Sequence, residues 1–202
     1  MRILLILAHP EPKSLNHAIA RRVMETLKKL GHSILLHDLY AEQFPCVMSG
    51  SEIAGRNPVD SVIENHCCDL QNAQGLVIIH PNWWGQPPAI LKGWVDRVFR
   101  SGVAYRFLPG DQGEGIPEGL LGIEKALILN TSDTPREREI SNMGDPLEAI
   151  WKKCILEYCG IKQVTRRMFG VVITSTFEER EKWLKETEEL VVATYPAEPT
   201  AG

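Results

Sequence analysis

No apolar run in this chain approaches the length needed to cross a membrane. The stretch Ile3 to Ala8 is six residues and stops at His9-Pro10, with no small-residue cleavage site after it. It therefore reads as a buried strand and not as a secretory signal. C-x-x-C pairs are missing, and the five cysteines (Cys46, Cys67, Cys68, Cys154, Cys159) are an odd number. That excludes a self-contained disulfide framework and points to free thiols in a reducing, cytoplasmic setting. A basic stripe is missing too. The 22 Lys and Arg are outnumbered by 26 Asp and Glu, for a net charge of -4, and Arg166-Arg167 is an isolated pair. Nucleic acid is not an expected partner. Neither G-x-G-x-x-G nor G-x-x-x-x-G-K-[ST] occurs. His17, His32, His37, His66 and His80 stand in no sequence pattern with a catalytic partner or with fellow metal ligands.

What is present is alternation. The 202 residues suffice for one domain with a proper core. Ile3 to Ala8, Ser33 to Leu39, Leu76 to Ile79, Ala126 to Leu129 and a stretch within Val164 to Ile173 read as strands. Helices fall between them. Ser14, Asp60 and Thr176 are candidate caps, and Asp145-Pro146-Leu147-Glu148 looks like a capping box with proline at the first position. The stripe Leu147, Ile150, Trp151, Cys154, Ile155, Tyr158 predicts an α-helical buried face. Lys92, Asp96 and Arg97 are expected on the solvated or interface side of theirs; Trp94 falls on the buried stripe, and periodicity leaves Trp94, Phe99 and Val103 open between core and an apolar dimer patch. Leu108 to Gly122 reads as a long surface loop. The expectation is a single α/β domain over 1–195 with a frayed tail over 196–202. Its core is a five-stranded, doubly wound parallel sheet of order 2-1-3-4-5, layered between helices.

In that winding, ligands bind beyond the carboxyl ends of the strands where the order reverses. The first such loop ends at a helix N-terminus suited to an anion. His9 offers a ring N–H, Ser14 a hydroxyl and Asn16 an amide. By itself this loop says little, since Ser is a common cap. The second runs Pro81-Asn82-Trp83-Trp84-Gly85-Gln86-Pro87-Pro88. Two indoles on a strand-to-helix loop suit the wall of a flat aromatic ligand better than a core. A charged tail at one loop and a flat ring at the other outline FMN.

His9, then Ser14-Leu15-Asn16, Asp38-Leu39-Tyr40, Pro81 with Trp84, Pro88-Ala89-Ile90-Leu91-Lys92-Gly93-Trp94 and Ala104-Tyr105 resemble the flavodoxin-like NAD(P)H:quinone oxidoreductases. The likeness is good over roughly the first 130 residues, and the P-A-I-L-K-G-W block is its most specific part. It implies a flavin-bearing homodimer that passes two electrons from NAD(P)H to quinones or similar acceptors. His9, Ser14, Leu15 and Asn16 would hold the flavin phosphate and ribityl. Pro81, Asn82, Trp83, Trp84 and Gly85 would line the ring. Asn130, Thr131, Ser132 and Asp133 would approach its pyrimidine edge, with N–H groups there to meet negative charge. Tyr105 and Phe107 would reach the partner's substrate pocket. The family often has Thr-Thr-Gly-Gly where this chain has Asn130 to Asp133. Met143, a substrate-side candidate, stands where animal members carry a histidine, so a histidine-assisted relay is not expected. The segment after the second strand is shorter than in FAD-binding members, which favours FMN over FAD. Two alternatives are a flavin-bearing regulatory subunit of a potassium efflux system and a one-electron flavodoxin carrier. The modest net charge and the lack of a Ser/Thr-rich phosphate loop count against the carrier.

Overall fold

The computed structural model describes residues 1–54, 60–111 and 115–197. Five parallel strands make the sheet: β1 (Arg2–Leu7), β2 (Ser33–Asp38), β3 (Gly75–Pro81), β6 (Lys125–Ser132) and β7 (Gln163–Gly170). Their order is β2-β1-β3-β6-β7, the expected 2-1-3-4-5 when only these five are counted. The remaining two, β4 (Tyr105–Arg106) and β5 (Glu118–Gly119), pair antiparallel in a small separate hairpin, and β5 falls within the stretch 108–122 that the sequence suggested was loop.

Each central strand is buried on both sides, and its two-residue period divides the core. Leu4, Ile6, Leu76, Ile78, Ala126 and Ile128 face α3 (Ser61–Asn72), α4 (Ala89–Val98) and α6 (Pro146–Ala149). Ile3, Leu5, Leu7, Val77, Ile79, Leu127 and Leu129 face α1 (Leu15–Lys29) and α7 (Phe177–Thr194). Tyr195 closes the second layer, its hydroxyl donating to the Leu76 carbonyl at 2.8 Å. The expected tail at 196–202 lies, from 198 onward, outside the described residues.

Local signals worked where the partner is local. Ser14 accepts from the His17 amide, Asp60 from the Val62 amide, and Thr176 with Glu179 closes a full capping box. Asp145 does not cap. It adopts φ +48° and spends its carboxylate on Arg166, at 2.9 Å. The helix begun at Pro146 then widens into a π-helical turn over Ile150–Leu156. The wider turn shifts the stripe's phase, so Cys154 and Tyr158 are exposed while Leu156 and Cys159 are buried.

The helix α4 also departs from expectation. Arg97 is 6% exposed and forms a bidentate pair with Glu52 of α2 (Gly50–Ile53), at 3.0 and 2.8 Å. Gly93 explains the contact behind it: a Cβ there would sit 2.1 Å from the Cys46 carbonyl oxygen. Glycine lets the helix press against the chain after β2. Trp94, Phe99 and Val103 are core residues, not an apolar surface. No helix among the described residues is long and apolar enough to cross a membrane.

Candidate functional site

The loops after β1, β3 and β6 converge on a crevice of about 680 Å³ at the carboxyl ends of the sheet. At its first wall, Ser14 is the N-cap of α1, and its Oγ also lies 3.0 Å from His17 Nδ1. His17 Nε2 meets Asp38 Oδ2 at 3.2 Å, so a Ser-His-Asp chain braces the turn. His9 Nδ1 accepts from the Glu11 amide at 3.0 Å, which leaves the neutral ring's proton on Nε2. Burial chiefly, and His17 nearby, hold the His9 pKa below its usual value. Leu15 and Asn16 stand in the first helical turn, whose amides have no intrahelical acceptor.

The second wall is a tight hairpin. Trp83 and Gln86 exchange two backbone hydrogen bonds of 3.0 Å. Between them Trp84 and Gly85 take φ of +58° and +70°, the pattern of a type I′ turn. Glycine is the expected residue at the second central position, and here it also clears Pro146, whose Cγ would lie 2.7 Å from a Cβ. Tryptophan is a costly choice at the first. Trp83 is 41% exposed and Trp84 99%.

Asn82 ties the walls together. Its Oδ1 accepts from the Gly85 amide at 2.9 Å, its Nδ2 donates to Glu139 Oε1 at 2.9 Å, and its amide donates to the Thr131 carbonyl. Asn16 Nδ2 donates to Thr131 Oγ1 at 2.9 Å across the floor. Ser132 Oγ accepts from the Thr134 amide at 3.0 Å. Asp133 lines the crevice, but its Oδ1 accepts from the Ile173 amide at 2.7 Å.

The structure thus gathers His9, Ser14, Leu15, Asn16, Pro81, Asn82, Trp83, Trp84, Gly85, Thr131, Ser132, Asp133 and Met143 around one cavity. Asn130 is not at its surface. It is fully buried beneath, with Oδ1 accepting from Arg166 Nε at 3.0 Å. Tyr105 and Phe107 also lie elsewhere, in an aromatic cluster with Tyr158 by the β4–β5 hairpin. Lys13, Thr134, Arg138, Glu139, Val172 and Arg180 line the crevice as well; the first four lie on the loops expected to carry the function but were not singled out, and sequence reasoning missed Val172 and Arg180. The last two come from the loop after β7 and from α7. Arg138 and Glu139 come from α5 (Arg136–Met143), whose charged sequence carries no apolar stripe to announce it.

The histidines without sequence partners all have structural ones. Trp151 Nε1 donates to His80 Nε2 at 2.9 Å, and Trp94 Nε1 donates to His66 Nδ1 at 3.0 Å. Burial is the main cause that lowers the pKa of each to about 4. His80 is therefore a packed neutral residue beneath the site. His32 meets the Tyr195 carbonyl, and His37 lies between Glu42 and Asp69. Ligand-type atoms of His37, Glu42 and His66 lie within 4.8 Å of one another. The Trp94 bond puts the neutral His66 proton on Nε2, the atom a metal would need, so hydrogen bonding accounts for this cluster.

Three cations (Lys13, Arg138, Arg180) and the α1 N-terminus suit an anionic tail, and the indoles suit a planar ring. Asn16 Oδ1 is buried without a partner among the described residues, an acceptor ready for a ligand hydroxyl. No residue of 39–54 lines the crevice. The donor set therefore fits a mononucleotide with a flat ring.

Comparison with known proteins agrees in fold and kind. The family described as "Flavodoxin-like fold" matches residues 1–191. An uncharacterized NAD(P)H oxidoreductase of Haemophilus influenzae is 32% identical over 177 residues, 84% of each chain. The solved NAD(P)H:quinone oxidoreductase from Methanothermobacter marburgensis superposes with a TM-score of 0.80 at 26% identity, covering 95% of both chains. An FMN-dependent NADH-azoreductase from Bacillus anthracis, solved in complex with FMN, shares the fold at 18% identity. Its TM-score is 0.75, over 95% of this chain and 98% of that one.

Proposed function

Because this chain belongs to the flavodoxin-like NAD(P)H:quinone oxidoreductase family, we propose that its crevice holds FMN and carries electrons from NAD(P)H to quinones or related acceptors. The single observation behind this reading is the convergence of an anion-binding helix start and an indole-bearing type I′ turn on one crevice. When bound, the flavin supplies two-electron chemistry at its ring. The chain's own part is to bind and orient. First-turn amides of α1, Lys13 and Arg180 meet the phosphate. Asn16 and Thr131, bonded to each other, meet the ribityl hydroxyls. Trp83 and Trp84 would offer their faces to the ring. Met143 borders the space left for nicotinamide and acceptor in turn.

FMN is favoured over FAD because the segment after β2, where an adenine would need a seat, contributes none of its described residues to the crevice. A homodimer fits the same reading. Trp84 offers an almost fully exposed indole, and Tyr105 and Phe107, remote from their own crevice, would serve the partner's. The regulatory-subunit alternative draws no support from the relatives named above.

Anaerobic titration of the purified, FMN-loaded protein with NADH and with NADPH tests the proposal. The flavin absorbance near its visible maximum should bleach with at least one donor and return when a quinone is added. Mass spectrometry of the released cofactor should give FMN. A protein that takes up neither FMN nor FAD overturns the reading.

A further inference from the structure

Glu139 sits in the run Arg136-Glu137-Arg138-Glu139, whose other three members are exposed. It alone is turned inward, with 1% of its surface accessible, and it borders the crevice beside Asn82 and Trp83. One carboxylate oxygen takes the Asn82 amide proton at 2.9 Å. The other is buried and has no hydrogen-bond partner among the described residues. A buried carboxylate has room for about four hydrogen bonds, and this one receives a single bond from the protein. Leaving a charged acceptor so poorly satisfied is costly unless a ligand completes it.

Building on the flavin reading above, we propose that Glu139 is a positioning residue for the ring, accepting a hydrogen bond from its N–H-bearing edge and lowering its affinity for electrons. Oxidised FMN presents a neutral ring with an N–H donor to the vacant acceptor. Reduction by two electrons and one proton leaves the ring one negative charge richer. A fixed carboxylate at hydrogen-bond range opposes that added charge, and more strongly in a site screened from water. Glu139 thus makes the bound cofactor a stronger donor to the acceptor that follows. Asn82 sets its aim, because the same side chain also fixes the Trp84-Gly85 turn. The crevice therefore combines charge-stabilising donors with one opposing acid, where the sequence suggested donors alone.

The test measures dissociation constants for oxidised FMN and, anaerobically, for dithionite-reduced FMN. Wild-type protein should bind the reduced form more weakly than the oxidised form. Glu139→Gln, which keeps shape and an acceptor for Asn82, should shift the ratio of the two constants toward the reduced form by about tenfold or more. For a two-electron couple a tenfold shift is about 30 mV in midpoint potential. Glu139→Asp, which keeps the charge, should stay within about threefold of wild type. Equal weakening of both forms by Glu139→Gln would mean a purely structural role and would overturn the proposal. So would wild-type protein that prefers reduced FMN. Wild-type protein that binds neither form would instead overturn the flavin reading on which this one rests.

Discussion

Trp84 holds φ +58° while its indole is 99% exposed, so neither packing nor backbone preference accounts for its presence. A left-handed conformation costs a side chain with a Cβ about 1–2 kcal/mol, and asparagine tolerates it best after glycine. Trp84→Asn should therefore stabilise the FMN-free protein by about 1 kcal/mol, which for a domain of this size raises Tm by roughly 2–4 °C. The same change removes an aromatic face worth about 1 kcal/mol, so FMN affinity should fall about fivefold. Calorimetry of the apoprotein and a flavin titration read the two effects separately. A variant with lower Tm and unchanged affinity would show that the indole packs on protein rather than on ligand. The residue types of this turn were legible from the sequence, because two indoles beside a glycine on a strand-to-helix loop have few other uses. Its geometry was not, since asparagine and not tryptophan signals a type I′ turn. Glu139 was illegible for a related reason: it lies in a run of alternating charge that reads as solvated. Its burial depends on Asn82, 57 residues away in the chain.

At the scale of elements, Arg166 joins what the sequence kept apart. Its side chain is 2% exposed and reaches Asp145 at 2.9 Å, Glu148 at 3.0 Å and Asn130 at 3.0 Å. It thereby pins the turn before α6 to β7 and the end of β6, directly under the crevice. Glu148 also pairs with Lys152, and its pKa is lowered by these two cations against the opposing effect of burial. Removing one partner of a buried pair strands the other charge, at a cost of about 3–5 kcal/mol. Arg166→Gln should destabilise the protein by about that amount in urea unfolding. Asp145→Asn added to it should recover part of the loss, because the stranded carboxylate is then gone. If the two changes simply add, the pair is not coupled. This network explains which helix starts could be read in advance. Ser14, Asp60 and Thr176 bond amides two or three residues on, so their role is local and visible. Asp145 carries the same signature, but an arginine 21 residues later claims its carboxylate. The π-helical turn that follows was invisible to an α-helical stripe for the same reason. Packing of Trp151 and Ile155 on the sheet, and not local preference, decides its phase.

Over the whole molecule, the helical layer on one side of the sheet uses one device twice. Each time, a buried tryptophan donates its indole N–H to a buried histidine: Trp94 to His66 and Trp151 to His80. Both rings must stay neutral to accept, and burial lowers each pKa to about 4. In the unfolded chain the same rings titrate near their ordinary value of about 6.5. Between those limits the unfolded state binds more protons than the folded one, so stability rises with pH there. The contribution is complete above about pH 6.5 and is lost as pH falls toward 4. For His80, which has no accessible surface, the loss at pH 5 is about 2 kcal/mol. The FMN-free protein should therefore show a lower urea midpoint at pH 5 than at pH 7.5. His80→Gln, which offers an amide oxygen to Trp151 and does not titrate, should lose about 2 kcal/mol less across that interval than wild type does. Comparing the two slopes cancels the carboxylates common to both proteins. Parallel slopes in wild type, His80→Gln and His66→Gln would mean that neither ring is held neutral by the fold.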